Sequence, residues 1–463
     1  MMTPLAGFGL GMVIGGSLSV VFYRRRIPVA NVTPGMGARL GMVSGILGGG
    51  IFAALLSIGT VVLRAWDSIR AKLIGIVEQT AARNPDPQTQ QALEFFKSPE
   101  GIVLLLTTAS SVIKTLLIPR AATSVLGSAL GWLDRWVFGK ITARVEDLRQ
   151  RERILAVTGP AWLISLLLSW LVCLLLGYAL LLWPLNHHSF PLALEESGSS
   201  LFTLGFVRPY GTGPVAVVFL AGASGLALVA LLIAYLPTLY TAFNRREIAV
   251  TTLEALAGSP PWGPELLARQ ALIGDVAYLP KVYERWTDWA ADISESHTNY
   301  RTLAYFRSPD PQTSWLLGLL AVLDAAALHL ALNPSTAPPE ARPLLRVGYL
   351  TMRKIARNLG MPVNEDPHPD DPIALTREEF GAAMDRMRRA GWVFERDPDE
   401  AWPHFHGWRV NYEAAAYALA RLLDLPPAVW SGPRPRHRPP PQLPVRPPHR
   451  EPGQPRDVQA RPG

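Results

Sequence analysis

The sequence Ser197-Gly-Ser-Ser-Leu-Phe-Thr-Leu-Gly-Phe-Val207 decides the fold of this chain, because it lies between two apolar segments that are each long enough to cross a bilayer. A cation inside a bilayer needs oxygen ligands in place of its water shell, and a ring of backbone carbonyls can supply them. Thr203 adds a hydroxyl to its carbonyl, and Gly205 can adopt the positive φ that turns successive carbonyls toward one axis. The stretch therefore predicts a loop whose backbone lines an ion pathway.

The segment Thr203-Leu-Gly-Phe206 resembles the Thr-Val-Gly-Tyr-Gly filter of pore-loop potassium channels. Similarity to the bacterial two-transmembrane members of that family extends over roughly residues 150–330, in the segments Ile233–Tyr240, Asn244–Glu247, Glu295–His297 and Leu303–Arg307. The resemblance implies a homotetramer, because one chain can supply only a quarter of the carbonyl ring. It also implies that potassium or another monovalent cation is the permeant ion, with no cofactor.

Two positions depart from that filter. Val207 stands where the family has a second glycine, and Arg208 stands where it has an acidic residue. A β-branched residue resists positive φ, and a ring of arginines at the outer mouth would repel cations. These departures leave the ion preference open and favour an alternative, a non-conducting membrane scaffold or regulator with a decayed filter. The predicted ion filter consists of Thr203, Leu204, Gly205, Phe206 and Val207.

The residues around the loop predict the rest of a pore module. Residues 190–202 suit a short pore helix, and we expect Ser199 and Ser200 to hold the filter backbone by hydrogen bonds. The predicted gating residues of the inner helix are Gly222, Gly225 and Pro237. Glycine permits bending, and proline removes a helical hydrogen bond. Ordinary packing is the other interpretation, because Gly and Pro are common in membrane helices.

The composition is that of an integral membrane protein, with 49% hydrophobic and 17% charged residues. A bilayer core of ~30 Å requires roughly 18 to 20 apolar residues per helix. Five segments meet or approach that length: Leu5–Tyr23, Met36–Leu63, Gly101–Ile118, Ala161–Trp183 and Val215–Tyr240. We interpret the first as an uncleaved anchor, because Arg24-Arg25-Arg26 follows it directly.

The basic residues set the expected topology, since positively charged flanks stay in the cytoplasm. Residues 24–26, 135–153 and 244–246 mark cytoplasmic ends, so we expect a multi-pass protein of the cell membrane with a cytoplasmic C-terminal domain. The formal net charge of +7 comes from residues at membrane flanks and in the tail. This distribution predicts contact with anionic lipid and no nucleic-acid partner.

The predicted fold is an all-α membrane protein with a pore-loop module of outer helix, pore helix, filter and inner helix. Its expected parts are a three-helix transmembrane region of unknown role (1–125), an interfacial amphipathic linker (126–160), the pore-loop channel module (161–245), a helical cytoplasmic domain (246–430) and a disordered Pro/Arg-rich tail (431–463). The linker is expected to contain one helix from Asp134 to Gln150, with tryptophans and basic residues at the headgroup level.

Downstream of the pore module we expect soluble helices near residues 265–300, 312–332, 340–359, 376–390 and 411–424. Residues 315–332 are apolar over about the minimum length for a span. Asp324 and His329 favour a buried helix of the domain instead, because a central Asp costs roughly 2.5–3.5 kcal/mol in a bilayer.

Two histidine pairs, His187-His188 and an extended His404-Phe-His406, have no third ligand at a suitable spacing, so we predict no metal site. No constellation supports enzyme chemistry.

Overall fold

A computed structural model describes residues 99–116, 124–145, 147–185, 189–310 and 312–433. All regular secondary structure in these ranges is helical. The two predicted N-terminal spans, the 64–98 region, His187-His188 and the tail from residue 434 lie outside the described residues.

Thirteen helices occur in the described ranges. They are α1 (Pro99–Leu116), α2 (Val125–Thr142), α3 (Leu148–Ala156), α4 (Thr158–Leu182), α5 (Phe190–Leu201), α6 (Thr212–Ala257), α7 (Gly263–Ile273), α8 (Leu279–Asn299), α9 (Trp315–Leu332), α10 (Ala341–Asn358), α11 (Arg377–Arg389), α12 (Pro398–Arg409) and α13 (Glu413–Leu422). Short 3₁₀ helices, Val276–Tyr278 and Arg301–Tyr305, precede and follow α8.

Three helical stretches of the described chain are long and apolar enough to cross a membrane: Arg149–Leu182, Thr212–Ala257 and Trp315–Leu332. The first two contain the predicted outer and inner helices. The predicted third span, residues 101–118, corresponds to α1, which is not among these three. Regular structure that is all helical over the described ranges, with such stretches, fits a membrane protein.

The chain divides into two compact units, residues 1–144 with 160–237 and residues 145–159 with 238–463. The core of the first unit is formed by α4, α5 and α6 with part of α2, through apolar residues such as Leu174, Ala193 and Val217. The helix α1 packs closely on α4, because a side chain on Gly101 would lie 2.8 Å from the carbonyl oxygen of Gly177. Small residues at such a crossing let two helix backbones approach.

The linker differs from the single amphipathic helix expected over residues 134–150. Two helices, α2 and α3, are separated by residues 143–147, and the Asp147 side chain caps α3 by accepting a hydrogen bond from the Arg149 amide. An N-cap Asp favours a helix start at this point. Trp132 and Trp136 of α2 are exposed.

The second unit is built around α9, in which every residue is buried. Its two polar residues have partners inside the unit. Asp324 accepts hydrogen bonds from Arg409 Nη1 (2.5 Å) and the Tyr412 hydroxyl (2.8 Å), and His329 Nδ1 lies 3.2 Å from the Tyr283 hydroxyl. Buried polar groups paired in this way are those of a protein core, as the sequence interpretation of this helix required.

Two expectations for the helices of the second unit were wrong. The expected helix over residues 265–300 is two helices, because Gly274 ends α7 in a left-handed conformation with φ 71°. The helix α12 was not expected, since the segment around His404-Phe-His406 was interpreted as extended. Pro398 occupies the first turn, where its missing N–H costs nothing.

Candidate ion-filter site

The short helix in front of the loop, α5, is anchored to α4 by a buried hydroxyl. Ser197 is fully buried, and its Oγ donates a hydrogen bond to the carbonyl oxygen of Leu175 at 2.8 Å. Ala193 and Leu201, four residues before and after Ser197, lie on the same face and join the core of the first unit. The end of α5, from which the loop leaves, is therefore fixed against α4.

Five consecutive backbone amides of the loop donate back to the end of α5. The N–H of Thr203 donates to the Ser200 carbonyl (3.0 Å), those of Leu204 and Gly205 to the Ser199 carbonyl (2.7 and 3.2 Å), and those of Phe206 and Val207 to the Ser199 hydroxyl (3.0 and 3.2 Å). Ser199 itself is buried. One serine thus receives four of the five hydrogen bonds.

The carbonyl oxygens of the loop differ from its amides in their hydrogen bonding. Within the described ranges, no donor is hydrogen-bonded to the carbonyl oxygens of residues 203–207. Thr203 and Gly205 have φ of 57° and 71°, whereas Leu204 and Phe206 do not have positive φ. Such alternation brings successive N–H groups to one side of a chain. Residues 203–206 are exposed.

The alternation of φ ends before the fifth predicted filter residue. Val207 does not adopt the positive φ that the second glycine of the resembled family would allow. It is partly buried, and its N–H is bonded to Ser199. The next residue, Arg208, is exposed. The alternation of φ therefore covers residues 203–206 and stops before Val207.

The two predicted support residues differ in their contacts. The Ser200 hydroxyl donates to the Glu196 carbonyl (2.8 Å) within its own helix, so Ser200 contacts the loop only through its backbone oxygen. The Ser199 hydroxyl accepts directly from the loop.

The three predicted gating residues lie on α6, which remains helical through Pro237. A side chain on Gly225 would collide with the carbonyl group of Leu201, the last residue of α5. At Gly222, the added Cβ would lie 3.4 Å from the Ser200 oxygen. Both glycines therefore let the α6 backbone pass close to the end of α5 that carries the loop.

Sequence reasoning missed the contacts that join α4 to its neighbours around the site. The Tyr178 hydroxyl lies 2.6 Å from Ser224 Oγ and donates to the Leu220 carbonyl of α6, while Ser197 bonds α4 as described above. A signal for Ser197 existed, since Ala193, Ser197 and Leu201 form a stripe of four-residue spacing. The role of Tyr178 depends on a partner 46 residues away and left no local pattern.

The expectation that His404-Phe-His406 forms an extended segment is wrong, because both histidines lie in α12. Residues two apart on a helix do not share a face. His406 Nδ1 lies 2.9 Å from the Pro369 carbonyl oxygen. The described residues contain no group of three or more His, Cys, Asp or Glu side chains that could hold a metal ion.

Comparison of the chain with protein-family models, with curated proteins and with solved structures finds no match.

Proposed function

We propose that this protein conducts monovalent cations, potassium among them, through a tetrameric ring of backbone carbonyls from residues 203–206. It acts in the cell membrane as a multi-pass protein with its C-terminal helical unit in the cytoplasm. Dehydrated cations in a membrane require several oxygen ligands, and one loop supplies too few of them. Four copies around a common axis would complete the ring.

One observation carries the proposal, namely the difference in hydrogen bonding between the amides and the carbonyls of the loop backbone. All five amides from Thr203 to Val207 are bonded to Ser199 or Ser200, and no donor in the described chain uses the corresponding carbonyls. A loop with this polarity is a cation ligand, because carbonyl oxygens carry the partial negative charge.

The position of the loop after α5 adds to this polarity. The loop leaves from the C-terminal end of α5, the end at which a helix macrodipole is negative. A cation near this end is stabilised by typically 0.3–1 kcal/mol per helix at exposed sites. Four helices around one axis would contribute in the same direction.

A second candidate function, a non-conducting scaffold or regulator, is favoured by Val207 and Arg208. The alternation of φ stops before Val207, and four copies of the exposed Arg208 would oppose the approach of cations. Such a protein would keep the helices of the pore module without passing ions.

Flux through liposomes distinguishes the two functions. The purified full-length chain is reconstituted, and release of potassium, sodium and chloride is measured under separate gradients. We expect cation release from wild type and release at the level of empty liposomes from Gly205→Pro. Proline cannot adopt φ 71° and removes the amide that donates to Ser199.

The matched control is Gly198→Ala in α5, where the added methyl group would make an ordinary contact, 3.5 Å from Leu175. It should release cations as wild type does. Equal release from wild type and Gly205→Pro would refute the filter, and no release of any ion by a correctly assembled wild type would favour the scaffold.

A further inference from the structure

Arg246 of α6 is a fully buried cation held by several parts of the second unit. Its Nη1 donates to the Leu303 carbonyl (2.8 Å) and lies 3.2 Å from His297 Nε2, while its Nη2 donates to the Phe306 carbonyl (2.8 Å). Glu247 neutralises the charge at 2.7 Å. A buried guanidinium with all these partners holds its surroundings in one geometry, because losing a partner leaves charge uncompensated.

Residues 303–306, to which Arg246 donates hydrogen bonds, also contact the start of α4. The Phe306 ring packs edge-on against Tyr240 and at a tilt against Phe243, both on α6, with centroids 6.0 and 5.7 Å apart. The same ring also lies against Gly159, where an added Cβ would be only 2.7 Å from a ring atom. Phe306 therefore contacts both the end of the inner helix and the beginning of the outer helix.

The next residue extends the contact to α3. Arg307 Nη1 donates to Glu152 at 2.7 Å, and its Nη2 donates to the backbone carbonyls of Leu423 and Asp424. Asp424 in turn pairs with Arg151 of α3. Glu152 and Arg151 are both about one-twentieth exposed, so these ion pairs are shielded from solvent and salt.

We propose that residues 303–307 form a clamp, positioned by Arg246, that couples the cytoplasmic end of the inner helix to the helix that leads into the outer helix. Arg246 is the positioning residue, because it fixes the segment through two backbone carbonyls, while Phe306 and Arg307 carry the contacts to α4 and α3. The two helices that flank the filter loop in sequence are thus both contacted by one segment of five residues.

The clamp gives the second unit a means of regulating the pore, a consequence that rests on the proposed function. Gly222 and Gly225 of α6 pass close to the end of α5, and the part of α6 from Tyr240 onward contacts the clamp. Pro237 lies between these two parts of α6. Proline deprives its helix of one hydrogen bond and makes bending easier there. Any partner or condition that shifts residues 303–307 would move both helix ends together and bend α6 at Pro237.

Hydrogen exchange on the full-length protein in liposomes tests the coupling without reference to ion flow. We compare Arg246→Gln with its neighbour Arg245→Gln, since Arg245 is 57% exposed and pairs with Asp292. Arg246→Gln should speed exchange about tenfold in residues 148–156 as well as in residues 240–252. Arg245→Gln should leave residues 148–156 unchanged, and potassium flux should change with Arg246→Gln alone.

Faster exchange confined to residues 240–252 and 301–306 would overturn the clamp, because Arg246 would then be of local structural importance only. If Arg246→Gln speeds exchange throughout the second unit, including α11, exchange in the reciprocal variant Arg307→Gln tests the coupling. Coupling is mutual, so Arg307→Gln must speed exchange around Arg246, and its failure to do so contradicts the proposal. Absence of flux in every variant would reject the proposed function and leave the exchange result standing.

Discussion

The filter loop and the Arg246 clamp are held by opposite kinds of contact. The five amides of the loop bond to residues three to eight positions earlier in the chain, whereas the clamp joins residues separated by 57, 60 and 155 positions. The loop is held through its backbone and depends on the positive φ of Thr203 and Gly205 and on Ser199. The clamp depends on buried charge and on the ring contacts of Phe306. Local contacts leave a pattern in the sequence, and long-range contacts do not.

The largest expected effect comes from separating the loop from its backing helix. Gly225→Ala places a methyl group on the Leu201 carbonyl, so α6 must move away from α5. Overpacking of this kind typically costs 1–3 kcal/mol. We expect a clear fall in the thermal midpoint in detergent and loss of flux.

Gly222→Ala is the matched control, because its methyl group would lie at 3.4 Å and needs only a small adjustment. Its midpoint should stay near that of wild type. Equal midpoints for the two variants would show that close passage of α6 does not support the loop.

The same contrast explains what could be predicted. The position of Ser199 behind the loop followed from its place in the sequence. A helix was expected near residues 376–390, and α11 begins there with a capping box formed by Thr376 and Glu379. Arg245 and Arg246 were interpreted alike, as a basic flank. One turns outward and the other is fully buried, because successive residues on a helix point about 100° apart. Which of the two arginines is buried depends on the fold and not on the local sequence.

Lowering the pH should have an intermediate effect on stability, and His297 beside Arg246 should be its source. His297 is buried, and its Nε2 must accept from Arg246, since a guanidinium has only donors. Burial and the positive charge of Arg246 hold the pKa of His297 well below 6.5. The folded imidazole therefore stays neutral where the unfolded one takes a proton.

The direction of the pH dependence of stability follows from proton uptake by the unfolded state. Below pH about 6.5 the unfolded state binds one proton more at His297, so the free energy of unfolding falls by up to ~1.4 kcal/mol for each pH unit. The other charged groups facing this site are Arg246 and, through it, Glu247. Thermal midpoints at pH 7.5, 6.5 and 5.5 measure the slope.

His297→Gln should flatten this dependence, whereas His404→Gln, at an exposed position of α12, should keep it. A slope that is the same in wild type and His297→Gln would mean that the imidazole at the clamp does not titrate as its burial requires.

The most direct measurement of the central claim is the ratio of potassium flux in Ser199→Ala to that in Ser200→Ala. Ser199→Ala removes the acceptor of two loop amides, each worth about 1 kcal/mol, while Ser200→Ala removes a hydroxyl bonded within α5. We expect flux about tenfold lower in Ser199→Ala, which corresponds to ~1.4 kcal/mol, and near wild-type flux in Ser200→Ala. Equal flux in both variants would contradict a carbonyl filter held in place by Ser199.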